Sequence, residues 1–159
     1  MSELIQVLCA GLGTLGFSVF FRVRTAHLPA ATLGGVLSWT CYLLVSRMGG
    51  TVFFSTLIAA LAVCLWAEAM ARLRKAPATV FLVPGIIPLL PGSTLYYTMD
   101  GLVARDMHTF IAKGGETLFV AVGIAGGILI ASEIVRVITH AWARHKKRQV
   151  AVSNDPRGQ

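Results

Sequence analysis

Charge is what this sequence has least of. Asp, Glu, Lys and Arg make up 13% of its 159 residues, where an ordinary soluble domain carries roughly a quarter. Hydrophobic residues supply 55%, and the mean hydropathy is +0.72. A soluble domain of this size has no interior large enough to hide so much apolar material, so the chain reads as an integral membrane protein. Acids are scarcer still, 7 against 14 Lys and Arg, leaving a net charge of +7. The basic excess sits in short clusters between apolar runs. That argues against a nucleic-acid-binding face and fits cytoplasmic loops. The three cysteines, Cys9, Cys41 and Cys64, are odd in number, far apart and each inside an apolar run. They suggest neither a disulfide framework nor a metal site, and read as small buried side chains. Enzyme signatures are missing as well: there is no H-E-x-x-H, no G-x-S-x-G and no phosphate-binding loop. His27, His108, His140 and His145 fall in loops or at span ends. No catalytic residue, cofactor or metal is expected, and an enzyme is the least favoured class. The N-terminus lacks the basic region of a secretory leader, and Leu8 before Cys9 does not fit a lipoprotein cleavage site. The first apolar run is therefore expected to stay as a helix.

Apolar runs are plentiful. Five approach or exceed the roughly 20 residues that cross a hydrocarbon core of about 30 Å, near residues 4–21, 28–46, 49–70, 79–99 and 117–139. The expected fold is all-α with five transmembrane helices. Arg22, Arg24, Arg72, Arg74, Lys75, Arg136, Arg144, Lys146, Lys147, Arg148 and Arg157 fall on one side of that layout, and only Arg47, Arg105 and Lys113 on the other. Lys and Arg favour the cytoplasm, so the amino terminus is expected outside and the carboxyl terminus inside. Residues 100–116 place Val103, Met107, Phe110 and Ile111 at helical spacing among polar neighbours. They predict a short amphipathic helix on the outer surface. Residues 1–142 form the membrane domain, and 143–159 a basic, disordered cytoplasmic tail drawn to anionic lipid headgroups.

The fourth run is interrupted. It carries Pro84-Gly85, Pro88 and Pro91-Gly92, and each proline removes an amide and crowds the carbonyl four residues earlier, so Val80, Pro84 and Ile87 lose helical partners. In lipid such carbonyls must meet protein, water or a ligand. A helix restarting at Ser93 and Thr94 presents free amides that suit a carboxylate, while the carbonyls upstream suit an ammonium group or a proton-linked water. A kinked packing helix is the plain alternative, with Ser93 and Thr94 as ordinary caps. Tyr96 shares a face with Gly92 and is the candidate gate, although Tyr96 and Tyr97 also fit an interfacial belt. Intramembrane acids point to proton coupling, here Glu133 and Glu68. Arg136 and Arg72 at helical spacing also make each an ion-pair candidate. Gly123, Gly127 and Ala131 form a four-residue small stripe for close packing, either within the chain or with a partner.

Ile87-Pro88-Leu89-Leu90-Pro91-Gly92 followed by Tyr96 resembles the threonine/serine exporter family, and in size and five-span layout the chain is similar to its small-subunit type, which corresponds to the C-terminal half of the fused exporters. The resemblance implies a bacterial inner-membrane, proton-driven secondary exporter of threonine, serine or a similar small carboxylate. Succinate or another dicarboxylate is the alternative substrate. It also implies a companion five-span subunit, whose topology would be opposite because an odd number of spans inverts the second copy. Pro84, Gly85, Pro88, Pro91, Gly92, Ser93, Thr94 and Tyr96 would contribute to the substrate site. The rival reading is a non-transporting structural subunit or a homo-oligomeric channel.

Overall fold

The computed structural model describes the backbone of residues 3–153 and the side chains of residues 3–139. Six helices account for nearly all of it: α1 (Glu3–Phe20), α2 (Leu28–Arg47), α3 (Val52–Arg74), α4 (Thr79–Ile86), α5 (Gly92–Val103) and α6 (Met107–Ser153). Four stretches are long and apolar enough to cross a membrane alone, and Thr79–Leu89 with Gly92–Val103 makes a fifth as a pair bent by 52°. The chain is a multi-pass, all-helical membrane protein with its fourth span broken.

Each terminus follows from local chemistry. Thr51 caps α3 by accepting from the Phe54 amide. α1, α2, α3 and α5 end in a left-handed residue, Arg22, Gly49, Lys75 and Arg105, and the next amide reaches back to the carbonyl five residues earlier, as in Asp106 N to Gly101 O at 2.8 Å. Three of these four positions hold Arg or Lys in a conformation that suits glycine. A basic side chain at the negative end of a helix offsets part of that strain.

The short amphipathic outer helix is not a separate element. Residues 100–103 close α5, a turn follows at 104–106, and Met107 opens α6, which runs on past Thr117 without a break. The cause is the cap at Asp106: its Oδ1 accepts from the amides of His108 and Thr109 at 3.1 and 3.3 Å, and its Oδ2 from the Thr109 hydroxyl at 2.6 Å. These bonds, the Thr109 hydroxyl foremost, hold the Asp106 carboxyl below the usual carboxylate range. The cap is therefore intact at neutral pH and fails only as acid brings the pH through that lowered value. Gly101 lets α6 approach closely, since a Cβ there would sit 2.9 Å from the Phe110 amide. Residues Met107–Thr139 alone measure about 50 Å along the axis, so the first turns of α6 rise beyond a hydrocarbon core of about 30 Å.

Lipid tails give apolar side chains no reason to prefer the interior, so close contact between small residues decides the packing. The buried core is accordingly alanine-rich (Ala30, Ala31, Ala59, Ala60, Ala67, Ala131), while Leu, Ile and Phe crowd the outside. The small stripe of α6 lies against α3 of the same chain. A Cβ on Gly127 would fall 2.6 Å from Leu57 O, and one on Gly123 3.1 Å from Phe53 O. The helix ends sort into two groups: Arg47 pairs with Glu3 at one end, and at the other Arg74 reaches Ala26 O and Arg72 reaches Thr139 Oγ1, both at 3.0 Å. That grouping is the alternation five spans require. The basic tail 143–159 lies outside the described residues in its side chains, and beyond Ser153 in its backbone too.

Candidate functional site

The break is built by the three prolines, each in a different way. Pro84 sits inside α4, Pro88 lies in a 3-10 turn (Ile87–Leu89), and Pro91 precedes α5 as its N-cap. Leu90 between them is extended, as a residue before proline prefers. The 3-10 turn changes the carbonyl count: Ile87 N donates to Pro84 O, and Leu90 N to Ile87 O at 3.1 Å. Pro84 and Ile87 are thus not left without partners, as sequence spacing suggests, because shortening the bond by one residue skips the missing proline amide. At the restart the amides of Ser93 and Thr94, in the first turn of α5, make no hydrogen bond among the described residues. The Thr94 hydroxyl donates to Pro91 O at 3.2 Å.

The two glycines of the break do different work. Gly85 is buried where α4 crosses α2 and α3, and a Cβ there would strike Val63 Cγ2 at 2.5 Å and approach the Gly34 carbonyl carbon at 3.5 Å. Gly92 is exposed, with nothing within 4 Å of a Cβ. Ser38 of α2, which sequence spacing did not single out, pins the first half of the break by donating to Gly85 O at 2.8 Å and to Gly35 O at 2.9 Å. Its signal was there to find: it lies four residues after Gly34, on the face where α2 is thinnest. Replacing Ser38 by alanine would strip a buried carbonyl of its partner and is expected to cost about 1–2 kcal/mol. Ser55 Oγ is buried without a partner among the described residues, so Ser55→Ala should cost nothing by comparison. Reversible unfolding in mixed micelles measures both, and equal costs would remove the pinning role from Ser38.

The remaining expected residues are scattered. Tyr96 is 67% exposed and stacks edge-on with Tyr97 at 5.5 Å, on the outer side of α5. Glu133 pairs with Arg136 at 3.2 Å, also on an outward face, beside Ile130, Ile134 and Val137. Glu68 is half-buried on α3; the expected partner, Arg72, turns instead to Thr139 across the α3 and α6 seam. Tyr96 and Glu133 therefore stand on outward faces and not at the break in this conformation. Trp39 of α2, also missed from sequence, packs against the cluster holding Leu89, and its Nε1 is buried with no partner among the described residues. No group of His, Cys, Asp and Glu suited to a metal occurs among the described residues.

Residues 6–135 match the profile of a family described as "Threonine/Serine exporter, ThrE". The chain is also similar to a protein described as a probable threonine/serine exporter in Mycobacterium tuberculosis, at 35% identity over 112 residues, or 70% of this chain and 20% of that protein. It spans about a fifth of that relative's length. No solved structure matches.

Proposed function

Because this chain belongs to the threonine/serine exporter family, we propose that it is the small subunit of a proton-coupled secondary exporter of threonine, serine or a similarly small carboxylate in the bacterial inner membrane. The observation that carries this reading is the 52° break between Thr79–Leu89 and Gly92–Val103 inside an apolar span. At its restart the amides of Ser93 and Thr94 are unoccupied and face no competing acid in sequence. Such amides suit a carboxylate. Pro84 and Ile87 each spend one lone pair in the 3-10 turn and keep a second for an ammonium group. Tyr96 gates the site from the outer end, and Glu133, with Glu68 second, carries the proton. Glu133 would have to approach the break through movement or through a partner's contribution. A companion five-span subunit of opposite topology supplies the other half of the site, and this chain's amino terminus lies outside.

The test is radiolabelled threonine uptake into inverted vesicles containing this chain and its companion. Uptake is expected to follow an imposed pH gradient and to fall to the level of vesicles lacking the protein when a protonophore collapses it. Uptake indifferent to the gradient would favour a channel. Competition by unlabelled succinate would move the substrate to the dicarboxylates.

A further inference from the structure

Beside the first half of the broken span, at the end that the charge count assigns to the cytoplasm, lies an open cavity of about 420 Å³. Its wall includes Arg22, Arg24 and His27 from the α1–α2 connection, and Pro77, Thr79 and Pro84 from the α3–α4 side. No Asp or Glu lines it. Of the other cations at the end of α3, Arg74 donates to Ala26 O and Arg72 to Thr139 Oγ1, and Lys75 lies outside the cavity wall. Arg22 and Arg24 make no side-chain hydrogen bond and no ion pair among the described residues. Helix ends do not supply the attraction here, because the first amides are taken: Leu28 N by Thr25 O, Val80 N by Pro77 O and Phe81 N by Ala78 O. The positive potential of the cavity is that of two guanidinium groups beside a low-dielectric apolar wall, an arrangement that concentrates anions.

The backbone adds a second reason. Arg22 holds φ 54, a left-handed conformation that costs a non-glycine residue about 1–2 kcal/mol. Lys75 and Arg105 share it, so the conformation alone marks no site. Arg22 differs because its strained position lines a cavity that carries a second free arginine. The bond from Arg74 to Ala26 O ties the connection bearing both arginines to the end of α3 and so fixes the wall.

We propose that this cavity is an oxyanion-binding vestibule, in which Arg22 and Arg24 hold a carboxylate or phosphate group and Phe21, Val23, Val80 and Val83 receive the adjoining short hydrocarbon. As the loading station for exported carboxylates it rests on the exporter reading; as a binding site it does not. Arginine suits the task because its planar fork meets both oxygens of such a group.

The decisive variant is Arg22→Gly, alone and with Arg24→Gln. Glycine relieves the left-handed strain, so the folded chain should be at least as stable as the parent while losing the charge. The full-length protein in phosphatidylcholine nanodiscs is titrated with L-threonine and with threoninol, which lacks the carboxylate; a parallel set of discs contains phosphatidylglycerol, and retained lipid is read by native mass spectrometry. Threonine is expected to bind the parent, threoninol not to, and the double variant to bind threonine about tenfold more weakly, the loss of a charge-assisted pair. Retention of phosphatidylglycerol by the parent but not the variant, without threonine binding, would assign the same site to lipid phosphate and support it equally. Both probes binding the variant as they bind the parent, or neither binding the parent, would overturn it. Gradient-driven threonine uptake separates the two readings: uptake unaltered by the variant removes the loading role from the vestibule and leaves the exporter, while arginine-dependent binding without any uptake by the parent does the reverse.

Discussion

Gly127→Val is expected to leave the protein unable to hold its native bundle. A Cβ at this position would lie 2.6 Å from Leu57 O, 2.7 Å from Ala60 Cβ and 3.0 Å from Leu61 N. Two of these three are backbone atoms of α3, which cannot swing aside as a side-chain tip can. Even alanine would force α3 and α6 apart, and overpacking of this kind typically costs about 1–3 kcal/mol; valine adds two methyl groups in the same gap and should exceed about 3 kcal/mol. The loss is large because van der Waals contact, with no help from water, holds these helices together. Gly16→Val provides the control, since nothing lies within 4 Å of a Cβ there. Unfolding by SDS titration in mixed micelles, followed by circular dichroism, should show the Gly127 variant shifted far below the parent and the Gly16 variant close to it. Indistinguishable curves would mean that α3 and α6 do not meet at this glycine.

That seam shows what the sequence can and cannot convey. The spacing of Gly123, Gly127 and Ala131 announces a close approach, but spacing is a property of one helix and carries no address for the other. The partner is α3, which spends the stripe inside the chain and leaves it no role in a homo-oligomer. Span number and the break were legible because hydropathy and proline are one-dimensional signals; the observed α2, Leu28–Arg47, ends one residue beyond its expected limit at 46. The fate of the freed carbonyls was not legible, since it depends on whether the chain tightens into a 3-10 turn. Neither was Ser38, whose acceptor lies 47 residues away, nor the cavity, whose wall joins the α1–α2 and α3–α4 connections, distant from one another in sequence. Arg72 shows the same limit from the other direction. Its helical spacing from Glu68 is right for an ion pair, yet a hydroxyl on α6 receives it instead.

Pro91→Ala combined with Gly92→Ala is expected to carry α5 back through residue 90, reducing the bend of the fourth span, and to abolish gradient-driven export while leaving the bundle folded. Alanine at 91 restores the amide that Ile87 O lacks in an α-helix, and removes the ring that keeps Leu90 extended. At 92 it replaces the poorest ordinary helix former with the best, a gain of about 1 kcal/mol. Neither change meets a steric obstacle on the glycine side, since a Cβ on Gly92 touches nothing within 4 Å. That openness makes this pair informative where Gly85 is not: alanine at 85 would collide with buried Val63, so its loss of function would say nothing about the break. Once α5 is extended in this way, the amides of Ser93 and Thr94 turn to the carbonyls of Leu89 and Leu90 and are no longer available to a carboxylate. Pro84 and Pro88 keep their own kinks, so distances between spin labels placed at 79 and 103 should change as the 52° bend relaxes without reaching the straightness of an unkinked helix. Coupled threonine uptake should fall at least about tenfold with unfolding stability unchanged or raised. A less bent span that still exports would show that the bend serves packing alone and would move the search for the substrate to Glu68, Trp39 and the companion's side of the interface.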